Sequence, residues 1–305
     1  MKNLKYYINK ALKEHFALGA FNFSNMENLQ AIERACNKLK SPAIIAVSES
    51  ALAYMGEDYL MALANCAKKS SPYLFLHLDH GKSFEICKKA IDLGFDSVMI
   101  GGSALDFEDN IALTKKVCDY AHSNGKLCEG ELGQLKGIED NVNSENHHYT
   151  NPQKAKLFVQ KTNIDMLAVA IGTSHGAYKY SGAQTLRFDI LEEIERALPN
   201  YPLVLHGAST VDPNIIALIN QYGGKLKNAN GIPKDLLTQA IKNHNIVKIN
   251  SDTDLRLSIT SMVRKILTES PEQFDPRKYL GAGRDKTEEI VQDKILNLLF
   301  SAGKA

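Results

Sequence analysis

Leu74–Gly81 reads LFLHLDHG, and its character changes along its length. It opens with apolar residues and ends in His77, Asp79 and His80, with a glycine behind them. A short, nearly continuous apolar run bounded by a turn residue fits a strand covered on both faces, as in a parallel sheet. Chemistry-bearing side chains packed at the C-terminal end of such a strand are what an α/β barrel presents at its functional face.

The same change of character recurs. Apolar runs occupy 17–23, 43–47, 74–78, 97–100, 127–132, 166–170, 203–205 and 246–249, spaced roughly 20 to 45 residues apart as successive βα units require. Between them lie amphipathic stretches with helical spacing, among them Met26–Leu39, 83–93, Phe107–Ser123 and Phe188–Ala197. Eight alternating units predict a closed parallel (β/α)8 TIM barrel. A doubly wound open sheet is the main rival, but no Gly-rich dinucleotide fingerprint follows the first run. The stretch 252–267 reads as the eighth helix, and an extra C-terminal helical segment is expected over 286–300. With no low-complexity region and no Pro-rich linker, 1–305 reads as a single barrel domain, and 305 residues suit a barrel of about 250 with insertions.

Two connections are long, 133–149 and 172–185, and loops of that length in a compact domain are often functional lids. Composition narrows the function. A formal net charge of +1 provides no global field for nucleic acid or a membrane surface, so any anion site must be local. No run of about 18 apolar residues is present to span a bilayer. Cys36, Cys66, Cys87, Cys118 and Cys128 are scattered without a C-x-x-C pair, which points to a reducing compartment and a cytoplasmic protein.

The polar residues cluster where the runs end: Asn22–Ser24, Ser48–Ser50, His77–Gly81, Glu129–Glu131, Gly172–Gly176, His206–Ser209 and Asn250–Asp254. In a barrel these ends converge on one mouth. His80, His175 and His206 follow three different strands, and each is followed at once by glycine. Any one of them alone reads as a hydrogen-bonded loop residue. Three in equivalent places fit a catalytic zinc with an open position for substrate. His77 belongs to the barrel wall or to the groups behind the ligands. The remaining histidines are assigned to surface or packing roles. Asp79, beside a candidate ligand, suits acid–base work or the orienting of a histidine. Glu131 lies within reach of the metal, while Glu139 and Asp140 ride on the first long loop. Gly207–Ser209 and Asn250–Thr253 occupy the usual phosphate-binding quarter of a barrel, with Gly172–Ser174, Gly176 and Lys179 able to complete it. Arg256 offers a planar fork for a second phosphate.

These residues also form motifs. LFLHLDHG (74–81), EGELGQLKGIED (129–140), AIGTSHGAYK (170–179), PLVLHGAS (202–209) and KINSDTDLRL (248–257) resemble the class II, zinc-dependent fructose-bisphosphate aldolases. GAFNFSNMENLQAI (19–32) and FDPRKYL (274–280) extend the resemblance almost end to end. It implies Zn2+ at His80, His175 and His206. Asp79 would exchange a proton with the C4 hydroxyl or aldehyde oxygen, and Glu139 would move the proton of the dihydroxyacetone phosphate carbon. Asn250 and Asp252 would position the triose. Gly176, Lys179, Gly207, Ser209 and Thr253 would hold one phosphate, and Ser48 with Arg256 the other. The resemblance further implies a monovalent cation, Na+ or K+, near the first phosphate. The partners it implies are a sugar bisphosphate and triose phosphates, with assembly as a homodimer or homotetramer.

Cleavage between C3 and C4 leaves an enediolate, whose charge a Lewis-acidic ion can stabilise, so no Schiff-base lysine is needed. No strand interior offers an obvious lysine for that alternative. The arginine in DTDLR (252–256) favours the fructose over the tagatose bisphosphate enzymes. Two positions depart from the family pattern: Gly101 stands where an acidic residue is usual, and Lys136 where a small residue or methionine is usual. Gly101 is the one feature favouring a non-catalytic sugar-phosphate-binding relative, which a cleavage assay with and without chelator separates. A zinc hydrolase on the same barrel would not need two phosphate clamps.

Overall fold

The computed structural model describes residues 2–134, 136–139, 142–144, 148–175 and 185–305, with backbone alone for 136–139, 142–144 and 175. The sequence-derived residues Asp140, Gly176 and Lys179 therefore lie outside the described residues, and Lys136, Glu139 and His175 are placed by backbone only.

The strands are β1 (Leu18–Asn22), β2 (Ala43–Ser48), β3 (Leu74–Gly81), β4 (Ser97–Ile100), β5 (Leu127–Leu132), β6 (Lys136–Glu139), β7 (Val142–Ser144), β8 (Met166–Val169), β9 (Ser174–His175), β10 (Leu203–Leu205) and β11 (Ile246–Ser251). Eight of them close a barrel in the order β1-β11-β10-β8-β5-β4-β3-β2. All eight contacts are parallel. This is the (β/α)8 TIM barrel expected from the run spacing.

Strand alternation explains why the runs look continuously apolar. On β2, Ala43, Ile45 and Val47 face the surrounding helices, while Ile44 and Ala46 join Leu18, Ala20, Met166, Val204 and Val247 inside the barrel. An amphipathic helix, Leu4–Glu14, begins at the N-cap Asn3, whose side chain accepts from the Tyr6 N–H. Its buried face, Leu4, Tyr7, Ile8 and Ala11, joins the same interior cluster and plugs the N-terminal end of the barrel. The other end is left for chemistry.

The C-terminal helix differs from its expected bounds. It runs Pro276–Asn297, ten residues earlier at its start than 286. Asp275 caps it through the Arg277 N–H and Pro276 sits in its first turn, which is the local signal for that start. Part of the first long connection also forms strands. Its described residues build a hairpin of β6 and β7, and β6 adds β9 alongside in parallel, with Gly137 opposite His175. The loop that carries Glu139 and the backbone of His175 are thereby joined in one small sheet.

Candidate active site

Asp79 and His80 end β3. A regular strand would send neighbours to opposite faces. Here the register with β4 shifts between Leu78 and Gly81, and His80 takes a left-handed φ of 52°. For a non-glycine residue that conformation costs about 1–2 kcal/mol and persists where surrounding structure imposes it, often at functional sites. The result is that both side chains reach the mouth. The rings of His80 and His206 lie 4.5 Å apart at their centroids. His80 Nε2 is 4.0 Å, and His206 Nδ1 3.8 Å, from Asp79 Oδ1. The three residues each offer one ligand atom, and these atoms lie within 4.8 Å of one another.

His206 follows β10 and is buried. Its Nε2–H donates to Glu129 Oε1 at 2.7 Å, which leaves the Nδ1 lone pair facing Asp79 and His80. A carboxylate behind an imidazole is how proteins fix the tautomer and orientation of a metal-binding histidine. The donor set, two imidazoles and a carboxylate, suits a divalent transition metal. The residues present therefore fit the ion.

Two carboxylates in this region are held anionic. Burial alone would raise Asp79, but the surrounding His80, His206 and Lys248 outweigh it and hold the carboxyl well below the usual range. Asn22 Nδ2 donates to Asp79 Oδ2 at 2.8 Å and Asn250 Nδ2 to Oδ1 at 3.0 Å, so both oxygens are gripped. Glu129 is fully buried; the Lys248 ammonium and the His206 hydrogen bond overcome that burial and depress its carboxyl too. Burial, then the Lys248 ammonium, push the His77 imidazole down to about 3. Neutral His77 then accepts from Lys248 Nζ at Nε2 (3.3 Å) and donates from Nδ1 to Ser97 Oγ (2.7 Å).

Lys248 corrects a sequence expectation. A strand-interior lysine does exist: it lies on β11, fully buried, with Nζ 2.7 Å from Glu129 Oε2. It hides in the apolar run IVKI, where its neighbours Val247 and Ile249 set the reading. An ion-paired ammonium is a donor and not a nucleophile.

Anion-binding candidates among the described residues gather at the same end. Ser48, Asp252 and Arg256 line one small pocket with Asn22 and Ser24. The helix Thr253–Glu269 starts directly after β11, so its N-terminal N–H groups lie at the mouth. Arg256 forks onto Asp252, with Nε to Oδ1 2.8 Å and Nη2 to Oδ2 2.6 Å. A cavity of about 890 Å³ lies elsewhere: Leu4, Leu74, Leu127 and Pro202 line it at the plugged N-terminal end. It has no part in this site.

Gly207 shows why glycine follows His206. Its φ is 60°, and a Cβ there would sit 2.6 Å from the Ser174 carbonyl oxygen. The same packing brings the backbone of Ser174, and so of the adjacent His175, against the segment that carries His206. Gly207→Ala is expected to lower stability by about 1–2 kcal/mol from the left-handed backbone alone. Thermal unfolding checks it.

Asp254 fixes the neighbouring loop. Its carboxylate accepts from the Thr210 and Val211 N–H groups at 3.1 and 2.7 Å and pairs with Lys294 at 2.6 Å. Burial would raise this carboxyl, but Lys294 and those backbone donors outweigh it and lower it. A depressed folded-state value adds stability above the unfolded-state value, about 3.9 for aspartate, and loses it as pH falls through the folded one. Asp254→Ala is expected to cost about 3–5 kcal/mol near neutrality, since Lys294 is left buried and uncompensated. Its stability should also fall less steeply than wild type on acidification below pH about 4. Urea unfolding across pH tests both.

A family profile described as "Fructose-bisphosphate aldolase class-II" matches residues 2–304. The chain belongs to that family. The fructose-bisphosphate aldolase of Treponema pallidum is 44% identical over 323 residues, covering 99% of this chain and 97% of its own. That of Giardia intestinalis is 44% identical over 306 residues, covering 99% and 94%. Among solved structures, the YdjI aldolase from Escherichia coli K12 superposes with a TM-score of 0.80 at 31% identity, covering 100% of this chain and 99% of that one. As a member of this metal-dependent class, the aldolase is a lyase.

Of the residues read from the sequence, Asp79, His80 and His206 are brought together, while the His175 side chain lies outside the described residues. Glu131 stands apart from the cluster: its Oε1 accepts from Ser103 Oγ at 2.7 Å and the Ser103 N–H at 3.3 Å. A Cβ on Gly101 would sit 3.5 Å from that same oxygen, an ordinary contact, so a side chain fits there without strain. Sequence reasoning passed over Asn22, Glu129 and Lys248 as functional residues. The signal for two of them was spacing: Glu129 lies two before Glu131, and Lys248 two before Asn250, each on the inward face of its strand.

Proposed function

We propose that this chain cleaves fructose 1,6-bisphosphate reversibly between C3 and C4, giving dihydroxyacetone phosphate and glyceraldehyde 3-phosphate, with a zinc ion at His80, His175 and His206. The observation that carries the reading is the meeting of Asp79, His80 and His206 at the open end of the barrel. When bound, zinc supplies a Lewis acid that stabilises the enediolate charge. The chain's own groups do the rest. Asp79, held anionic by its surroundings, takes the C4 hydroxyl proton in cleavage and returns it in condensation. Glu139 delivers the proton to the triose carbon. Asn250, which also grips Asp79, and Asp252 hold the triose in line. Gly176, Lys179, Gly207, Ser209 and Thr253 bind one phosphate, and Ser48 with Arg256 the other. A Na+ or K+ ion accompanies the first phosphate.

Arg256, exposed and forked onto Asp252, favours the fructose over the tagatose substrate. Arg256→Ala is expected to raise KM about 10- to 100-fold, the worth of one charge-assisted hydrogen bond, with kcat changed far less. A KM equal to wild type would remove Arg256 from the phosphate site. The reading as a whole is tested by metal analysis of the purified protein together with a coupled cleavage assay. EDTA should abolish turnover and zinc restore it. EDTA-resistant cleavage, trapped covalently by borohydride, would sink it and point back to Lys248.

Residues 1–305 act as one barrel domain. Among the described residues no helix is long and apolar enough to cross a membrane, and the five free cysteines fit a reducing cytoplasm. Exposed Tyr54, Tyr59 and Phe274 offer apolar surface for a homodimer or homotetramer, which light scattering would measure.

A further inference from the structure

We propose that Lys248 is a positioning residue for the metal centre: paired with Glu129, it fixes the orientation in which His206 presents Nδ1 to the mouth. The inference rests on the reading of His206 as a metal ligand. Its basis is a connected set of inward-facing side chains one layer below the site. Ser97 on β4, His77 on β3, Lys248 on β11 and Glu129 on β5 are all fully buried and lead in order to His206 after β10. The links are Ser97 to His77 at 2.7 Å, His77 to Lys248 at 3.3 Å, Lys248 to Glu129 at 2.7 Å and Glu129 to His206 at 2.7 Å. Five strand ends or interiors of the barrel are thus tied across its axis.

The energetics give this set a purpose beyond stability. A buried ion pair is often no better for stability than well-packed apolar residues of the same volume. The interior cluster beside it is apolar, including Leu18, Ile44, Met99 and Val247. A lysine here is therefore not explained by packing. What it does provide is a counter-charge that keeps one Glu129 oxygen engaged while the other is aimed at His206 Nε2. Without it, Glu129 would be an isolated buried carboxylate, free to turn or to give up its charge. His206 would then lose the acceptor that selects its tautomer. Carboxylate partners behind metal-binding histidines are worth about 10- to 100-fold in metal affinity when removed. Lys248 extends that dependence one residue further from the metal.

The test uses cobalt(II) as a spectroscopic substitute in Lys248→Met, Glu129→Gln and the double variant. Cobalt Kd is measured by chelator competition and the visible d–d spectrum recorded, with thermal unfolding of the apo proteins alongside. The double variant removes both charges together, so it leaves no lone buried ion even where Lys248→Met alone fails to fold. Each single variant that folds is expected to weaken cobalt binding by about 10- to 100-fold. The double should be no weaker than the worse single, because the two residues act in series. Its d–d bands should shift in position or intensity. A double variant with the wild-type Kd and spectrum overturns the proposal, as do single effects that multiply in the double. A His206→Ala control separates the two readings. If it binds cobalt like wild type, the assignment of His206 as a ligand fails first; if it loses cobalt while the Lys248 variants keep it, only the present inference fails.

Discussion

Replacing His206 by alanine is expected to strip the protein of its divalent metal and to slow aldol cleavage by at least about 10³-fold. The size follows from what the ion contributes, several kcal/mol of charge stabilisation, at about 1.4 kcal/mol per tenfold in rate. His206 bears this weight because of how it is held. It is buried, its Nε2 is committed to Glu129, and its Nδ1 lies 3.8 Å from Asp79 and on the His80 side of the mouth. Removing the ring leaves Glu129 without that partner and opens the cluster to water. Elemental analysis of the purified variant and a coupled assay, each with and without added zinc, measure the two effects separately. A variant that keeps one equivalent of metal and turns over at even a tenth of the wild-type rate would show that the ion sits elsewhere. Chelation of the wild-type protein should reproduce the kinetic loss and, unlike the substitution, be reversed by zinc.

The barrel was legible in the sequence because its signal is redundant. Eight apolar runs, each ending in polar residues, repeat one pattern, and an error at any single run would not have changed the fold. The site was legible for a related reason: a parallel barrel puts all its strand ends together, so His80 and His206, 126 positions apart in sequence, could be read as neighbours. What the sequence hid is what depends on facing and on charge pairing. Lys248 looked like an interruption in IVKI, when its inward register makes it the partner of a carboxylate from β5. Glu129 and Glu131 look equivalent in EGEL, yet one turns behind His206 and the other to Ser103. The start of the last helix was missed although Asp275 and Pro276 mark it, since the mixed polarity of its first turns gave no apolar stripe to follow. Asn22 reads in the sequence only as a polar end to the first run, within GAFNFSNMENLQAI; the closure of β1 against β2 and β11 brings it to Asp79.

Asp79→Asn is expected to lower kcat by about 10²–10⁴-fold, the usual contribution of a positioned general acid–base group, while the bound metal is retained. The substitution is nearly isosteric but reverses the chemistry at one atom. Both carboxylate oxygens accept from side-chain amides, Asn22 Nδ2 at 2.8 Å and Asn250 Nδ2 at 3.0 Å. An asparagine there sets an N–H2 group against one of these donors, so a buried donor loses its acceptor in addition to the loss of the base. KM should move little, because the residues proposed to hold the phosphates lie on other strand ends and keep their places. The split between kcat and KM carries the argument, since general misfolding would harm both. The metal content then decides what Asp79 is. Geometry allows it to be a ligand, since its oxygen lies within 4.8 Å of both histidine nitrogens. If Asp79 moves the substrate proton, the variant keeps its zinc and loses turnover. Should zinc leave together with activity, Asp79 belongs to the metal, and the proton must be carried by another group at the mouth.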